Sequence, residues 1–208
     1  MSTFATWVAN TKGNAALNAA LAVARREANA PNPLVLVGGV GSGKTHLLYA
    51  IADEMRSRPT ASILHLPIMA FVDRLTHSIR ADALSEFRRW TESFDSILLD
   101  DLHLLADREV TLREVVLTLA ERAAAGAQVV VTSDRRLPAI TAPAQVVEVK
   151  YPDTAARTKI LRATSEQRGF PLSEDFARAI ARRIRGNARQ LHATVSRLIA
   201  ERVVARSA

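Results

Sequence analysis

The chain has 208 residues, 48% of them hydrophobic, with a formal charge of +7 and no cysteine. That length suits one α/β domain with a small appendage, and the composition leaves no place for disulfides or thiolate metal sites. No apolar run is long enough to span a membrane, and the start Met1-Ser2-Thr3-Phe4-Ala5-Thr6-Trp7 lacks the basic and apolar regions of a signal peptide, so a cytoplasmic address is expected. Lysine occurs only at Lys12, Lys44, Lys150 and Lys159; every other basic residue is arginine. Arginine suits phosphate forks, but a GC-rich genome gives the same bias. The charge therefore permits nucleic-acid binding without demonstrating it.

An alanine-rich helical pattern over 14–30 is closed by Pro31-Asn32-Pro33. The apolar run Leu34-Val35-Leu36-Val37 reads as a buried strand. It leads into Gly38-Gly39-Val40-Gly41-Ser42-Gly43-Lys44-Thr45, which matches G-x-x-x-x-G-K-[ST], and a helix follows to about residue 56. Glycines let the backbone curl so that its N–H groups face a phosphate, and the helix N-terminus adds positive potential. Lys44 would reach the β- and γ-phosphates, and the Thr45 hydroxyl would ligate Mg²⁺. Strand before and helix after weigh against a chance glycine-rich turn. The chain is expected to bind a nucleoside triphosphate.

A second strand is predicted over 62–65, closed by Pro67, and two helices over 69–80 and 83–90. The next strand, 96–99, ends in Asp100-Asp101. In P-loop proteins a carboxylate at such a strand end holds Mg²⁺, directly or through water. Asp100 is the candidate, while Asp101 would orient or activate the attacking water. Acidic turn residues capping a strand are the bland alternative. A helix over 112–125 precedes a strand over 128–132 that runs into Thr132-Ser133-Asp134, and a shorter strand follows over 145–149. Strands alternating with helices predict a parallel sheet with right-handed crossovers. From Asp153 onward the pattern is helical: 155–166, then 174–185 ended by Gly186, then a last helix to about 205 with Asn187 as its N-cap. The expected division is an α/β nucleotide-binding domain over 1–152 and a small helical domain over 153–208. His46, His65, His77, His103 and His192 are too scattered to predict a metal cluster, so packing or surface roles are expected.

A P-loop, a strand ending in two acids, a strand ending in a polar residue and a helical tail with a conspicuous arginine resemble the AAA+ layout. The stretches GGVGSGKTHLL, DSILLDDLHLLADRE, VVVTSD and RRIRGNARQLHATVSRLIA closely resemble the DnaA family of replication initiators. TFATWV, IRADALSEFRRW and YPDTAART resemble that family's opening segment, its additional helix pair and its entry into the lid, so the likeness runs from about residue 3 to 200. The resemblance implies a five-stranded parallel sheet flanked by helices, followed by a small, truncated helical lid. It implies ATP or ADP with Mg²⁺ as ligands, wrapped by Gly39, Val40, Gly41, Ser42 and Gly43 with Lys44, Thr45 and His46. Asp100 and Asp101 would be the Walker B pair, and sensor 1 would fall on Thr132 to Asp134. Arg189 would be the sensor 2 arginine, against the alternative of ordinary solvation on a helix surface. Val8 would line the adenine pocket with Phe4 or Trp7, although all three could equally be core residues.

Departures from the family shape the functional expectation. After sensor 1 the family carries an arginine that enters a neighbouring subunit's ATP site. Here Leu137-Pro138-Ala139-Ile140-Thr141-Ala142-Pro143-Ala144 runs straight into the next strand, and no arginine lies between Arg136 and Arg157. Hydrolysis is therefore expected to be weak or partner-dependent, with a replication initiator or other AAA+ subunit as the partner. Nothing resembles the family's duplex-binding domain before the chain stops near Ala208, so sequence-specific origin recognition is not expected. Val72 and Arg108 match positions on the surface that the family uses for single-stranded DNA, but Val110 stands where a second basic residue is expected; Arg80, Arg74, Arg88 and Arg89 add positive charge nearby. A solvated helix face explains them equally well. The alternative to a regulator of replication initiation is a helicase-loader or transposition-helper ATPase that grips single-stranded DNA.

Overall fold

Leu34–Val37 carries no polar residue on either face, the pattern of a strand covered on both sides. In the computed structural model, which describes residues 3–11, 14–140, 143–184 and 187–207, this run is the strand β1. The other strands are β2 (Ile63–Pro67), β3 (Ser96–Asp100), β4 (Gln128–Ser133) and β5 (Gln145–Glu148). All pair in parallel, in the order β2-β3-β4-β1-β5. The helices are α1 (Ala15–Arg25), α2 (Lys44–Arg56), α3 (Ile68–Arg80), α4 (Leu84–Glu92), α5 (Glu109–Ala124), α6 (Thr154–Gln167), α7 (Glu174–Arg183) and α8 (Ala188–Ser207). Among the described residues, no helix is long and apolar enough to cross a membrane.

The chain divides into two compact units. The first comprises Met1–Trp7, Ala15–Gly38 and Lys44–Val149 and contains the whole sheet. Side chains alternate across its strands, as the pleat requires. Val35, Val37, Ile97, Leu99, Val129 and Val131 face a core completed by α3, α4 and α5 through Phe71, Phe87 and Val115. Leu34, Leu36, Leu98 and Val130 face the opposite core, built with α1 and α2 through Val23, Leu48 and Ile51. Because β4 lies between β1 and β3, the carboxyl ends of these three strands come together. Ligands of open α/β sheets bind at such ends.

The second unit comprises Val8–Asn14, Gly39–Gly43 and Lys150–Ala208. Leu161, Ala177, Ala181, Leu191 and Val195 form the core of α6, α7 and α8. Side chains cap each helix. Asp153 accepts from Ala156 N–H, Ser173 accepts from Phe176 N–H, and Asn187 and Gln190 bond each other's backbone N–H reciprocally.

Several predicted ends shift. The first helix stops at Arg25, five residues before the expected end, because Arg26 adopts φ 55°. Its N–H donates to Val23 O and the Glu27 N–H to Ala22 O, a Schellman closure built without glycine. The helix expected from 112 begins at Glu109, and a 3-10 turn over Leu102–Leu105 was not expected from the pattern. Helix α7 ends at Arg183, two residues early; Arg185 and its expected stop, Gly186, lie outside the described residues.

Candidate nucleotide site

β1 leaves the sheet at Gly38, whose N–H donates to Ser133 O on β4 at 3.1 Å. The loop that follows turns at Gly41, where φ is 75° and an added Cβ would meet the Asn187 side chain at 2.5 Å. A larger residue there meets both backbone strain and a collision. Chain direction then sets Lys44 as the first residue of α2. Lys44 is buried, and its Nζ donates to Gly38 O at 2.7 Å. Ser42 Oγ is buried without a hydrogen-bond partner among the described residues. A buried hydroxyl of this kind is costly unless something completes it, and a phosphate oxygen has the chemistry to do so. Thr45, in the first turn of α2, is exposed.

His46 follows but turns to the opening segment. Its Nε2 lies 3.1 Å from Thr3 O and 3.2 Å from Thr6 Oγ1, and its ring meets Trp7 edge-on with centroids 5.4 Å apart. Burial holds the imidazole below its ordinary pKa, against the bond to Thr3. Phe4 and Trp7 pack on the α1–α2 core, while Val8 is half-buried in the second unit.

The ends of β3 and β4 are joined by a short polar network. Thr132, fully buried, accepts from Asp101 N–H at 2.9 Å and donates from Oγ1 to Asp100 Oδ1. Asp101 sits at φ 65°, a left-handed conformation that a non-glycine residue adopts at some cost. The reversal starts the Leu102–Leu105 turn, which Leu102 and Leu105 anchor in the core. Burial and the Asp100 carboxylate push the Asp101 carboxyl above its ordinary pKa, opposed by His103 and Lys44. His103, which sequence reasoning left as a scattered histidine, stands between two acids. Its Nδ1 accepts from Asp134 N–H at 3.3 Å and lies 3.8 Å from Asp101 Oδ1, and its Nε2 is 3.7 Å from Asp134 Oδ2. Asp134 also pairs with Arg135 Nε at 3.0 Å. Only the spacing Asp101-x-His103 hinted at this.

Among the described residues no group of three or more His, Asp or Glu side chains could hold a metal ion unaided. The Thr45 hydroxyl and the Asp100 carboxylate are oxygen donors of the kind Mg²⁺ takes where it keeps waters and substrate phosphate oxygens as its other ligands.

In the second unit, the Asn187 side chain donates to Val40 O at 3.0 Å and Ala188 N–H donates to Gly41 O at 3.1 Å. The start of α8 is thereby tied to the glycine-rich loop, with Arg189 exposed one residue further on. After β4, Leu137 is buried and Ala139 and Ile140 pack on the sheet core, while Thr141 and Ala142 lie outside the described residues. Of the expected nucleic-acid residues, Arg80 and Arg108 are exposed, as are Arg88 and Arg89. Val72, at 4% exposure, packs in the core with Phe71 and Leu75. Arg74 lies over the Trp90 ring at 4.1 Å, a cation–π contact that engages its charge within the fold.

The bacterial DnaA ATPase domain matches residues 1–151. The chromosomal replication initiator DnaA of Herpetosiphon aurantiacus is 36% identical over 209 aligned positions, covering 95% of this chain and 44% of that protein. DnaA of Thermus thermophilus is 34% identical, with 95% of this chain and 48% of that protein covered. The chain thus spans less than half the length of these curated relatives. Among solved structures, domain III of Thermotoga maritima DnaA superposes with a TM-score of 0.85 at 28% identity, covering 98% of this chain and 90% of that one. AMPPCP-bound DnaA from Aquifex aeolicus has the same fold, with a TM-score of 0.81 at 21% identity over 94% of this chain and 63% of that one. With its P-loop, its strand order and these matches, the chain belongs to the bacterial DnaA ATPase-domain family of AAA+ proteins.

Proposed function

We propose that this chain is an ATP-binding AAA+ module that acts in or regulates the initiation of chromosomal replication in the cytoplasm, by associating with an initiator assembly. The observation that carries the reading is the adjacency of β1, which leads to the buried Lys44, with β4 and β3, whose ends carry the Asp100–Thr132–Asp101 network. Solved DnaA proteins bound to AMPPCP, one of them also bound to single-stranded DNA, support adenine nucleotide as the ligand class.

In this reading residues 1–152 bind the nucleotide and 153–208 act as its lid. Lys44 exchanges Gly38 O for the β- and γ-phosphates, and the N–H groups of Gly39, Val40, Gly41, Ser42 and Gly43 wrap the triphosphate. His46 secures the opening segment, from which Val8 reaches the base. Thr45 and Asp100 would hold Mg²⁺, which would neutralise the developing phosphate charge. Asp101 orients the attacking water, and its raised pKa suits a proton acceptor. Thr132 holds both acids in place, Asp134 closes the sensor end of β4, and Arg189 meets the triphosphate from the lid.

The chain has no arginine between Arg136 and Arg157 to lend to a neighbouring site. An arginine finger is worth about 10³–10⁵ in rate where it operates. Turnover is therefore weak alone and rises only when a partner donates the missing group. Such a subunit joins one end of an initiator filament and blocks its extension. Adding it to filaments of an ATP-bound initiator should shorten them in electron micrographs; unchanged lengths would exclude the capping role. A single-stranded-DNA gripping ATPase is favoured by the exposed Arg80, Arg88, Arg89 and Arg108. It requires ATP-stimulated oligonucleotide binding that is lost on reversing Arg80 or Arg108, and that falls steeply with salt.

A further inference from the structure

We propose that His103 is the positioning residue of this site, acting on hydrolysis through Asp101 and Asp134; the inference rests on the nucleotide-site reading above. Two links tie the carboxyl end of β4 to the turn after β3. Thr132 is the first, and it fixes the backbone of Asp101. It leaves the Asp101 carboxylate, whose side chain is 45% exposed, without a hydrogen bond among the described residues to orient it. His103 supplies the second link, and its side chain is only 17% exposed.

The ring's tautomer follows from its neighbours. Nδ1 accepts the Asp134 N–H, so in the neutral imidazole the proton resides on Nε2. Nε2–H then faces Asp134 Oδ2 at 3.7 Å, while the backbone of the same residue bonds to Nδ1. The Nδ1 lone pair offers no proton to Asp101 Oδ1, 3.8 Å away. With no proton between them the two groups form no hydrogen bond, so the Asp101 carboxylate is left available for a water. A histidine carrying its proton on Nδ1 would do the reverse, forfeiting the Asp134 N–H and sequestering Asp101. Arg135 completes the charge balance by pairing with the Asp134 oxygen that His103 does not face. Misplacement of a reacting group by about 1 Å can cost about 10² in rate.

Two measurements on the full chain test this. Long-range ¹H–¹⁵N correlation spectra of the neutral ring should show His103 with Nε2 protonated and Nδ1 bare. The Nδ1-protonated form, or averaging between the two, would overturn the assignment whatever the activity. In parallel, ATP affinity and single-turnover phosphate release are compared for the native chain, His103→Ala and His103→Gln. His103→Ala should release phosphate about 10²-fold more slowly with unchanged ATP affinity. His103→Gln, which keeps an acceptor and a donor on one planar group, should restore most of the rate. Equal rates in all three, or a glutamine variant as slow as the alanine one, would overturn the proposal. So would a native chain that binds ATP but releases no phosphate. A native chain that fails to bind ATP removes the nucleotide reading itself, and the catalytic role of His103 with it, even if the tautomer is as expected.

Discussion

The two units of this chain are stabilised in different ways. The sheet unit is covered on both faces, and its site residues follow from strand ends that the register holds in place. The helical unit has a small core in which two of the five members are alanines, and much of its definition comes from caps and polar ties such as Asp153 and Asn187. A register moves a chemical group only by breaking a ladder, whereas a capped helix can shift at the cost of a few hydrogen bonds. The chemical candidates Asp100 and Thr132 sit on the first kind of support, and Arg189 on the second.

Replacing Asp101 with asparagine sharpens the chemical half of that contrast. Its shape and backbone bond to Thr132 are retained, so ATP binding should persist while single-turnover hydrolysis falls about 10²–10⁴-fold, the usual worth of a general base. Retained hydrolysis would remove Asp101 from the chemistry. Next in size, Leu98→Ala in the sheet and Leu161→Ala in the helical unit should each cost about 2–5 kcal/mol. Hydrogen exchange should place the loss from Leu161→Ala in α6, α7 and α8, with sheet amides still protected. Uniform loss across both units would break the comparison. Lys44→Ala removes charge-assisted bonds worth about 1.5–3 kcal/mol, so ATP affinity measured by calorimetry should fall about 10- to 100-fold.

The smallest effect concerns the helical unit's caps. Burial alone would raise the Asp153 carboxyl, but bonds from Ala156 N–H and from the Thr11 hydroxyl and N–H outweigh it and hold the group below its ordinary pKa of 3.8. A carboxyl more acidic in the folded state stabilises above its unfolded pKa, and that contribution is lost as pH falls through the folded value. Asp153→Ala should cost about 1 kcal/mol at neutral pH. Asp153→Asn should keep the cap while flattening the acid limb of urea-midpoint against pH. An unchanged acid limb would mean that Asp153 does not contribute to the pH response.

Local features of the site were legible in the sequence because each is a short pattern. The run from Gly38 to Thr45 needs only its own loop and helix, and Asp100-Asp101 needs only an apolar strand before it. Features that depend on which strands become neighbours were not legible. Thr132 bridges the two acids, and His103 meets Asp134, only because β4 pairs with β3. No period or motif declares that pairing. The burial of Val72 was not legible because helix register, not chain position, decides which side of α3 meets the core. The early end of α1 was missed because Arg26 takes the left-handed position that glycine usually signals.

Steady-state ATP turnover per subunit against protein concentration, with Lys44→Ala as the control, tests most directly whether the chain binds ATP without completing its own sites. A low rate, flat with concentration and abolished in Lys44→Ala, is expected. A per-subunit rate that climbs with concentration and vanishes in Lys44→Ala would mean that copies complete one another's sites, contradicting the dependence on a partner.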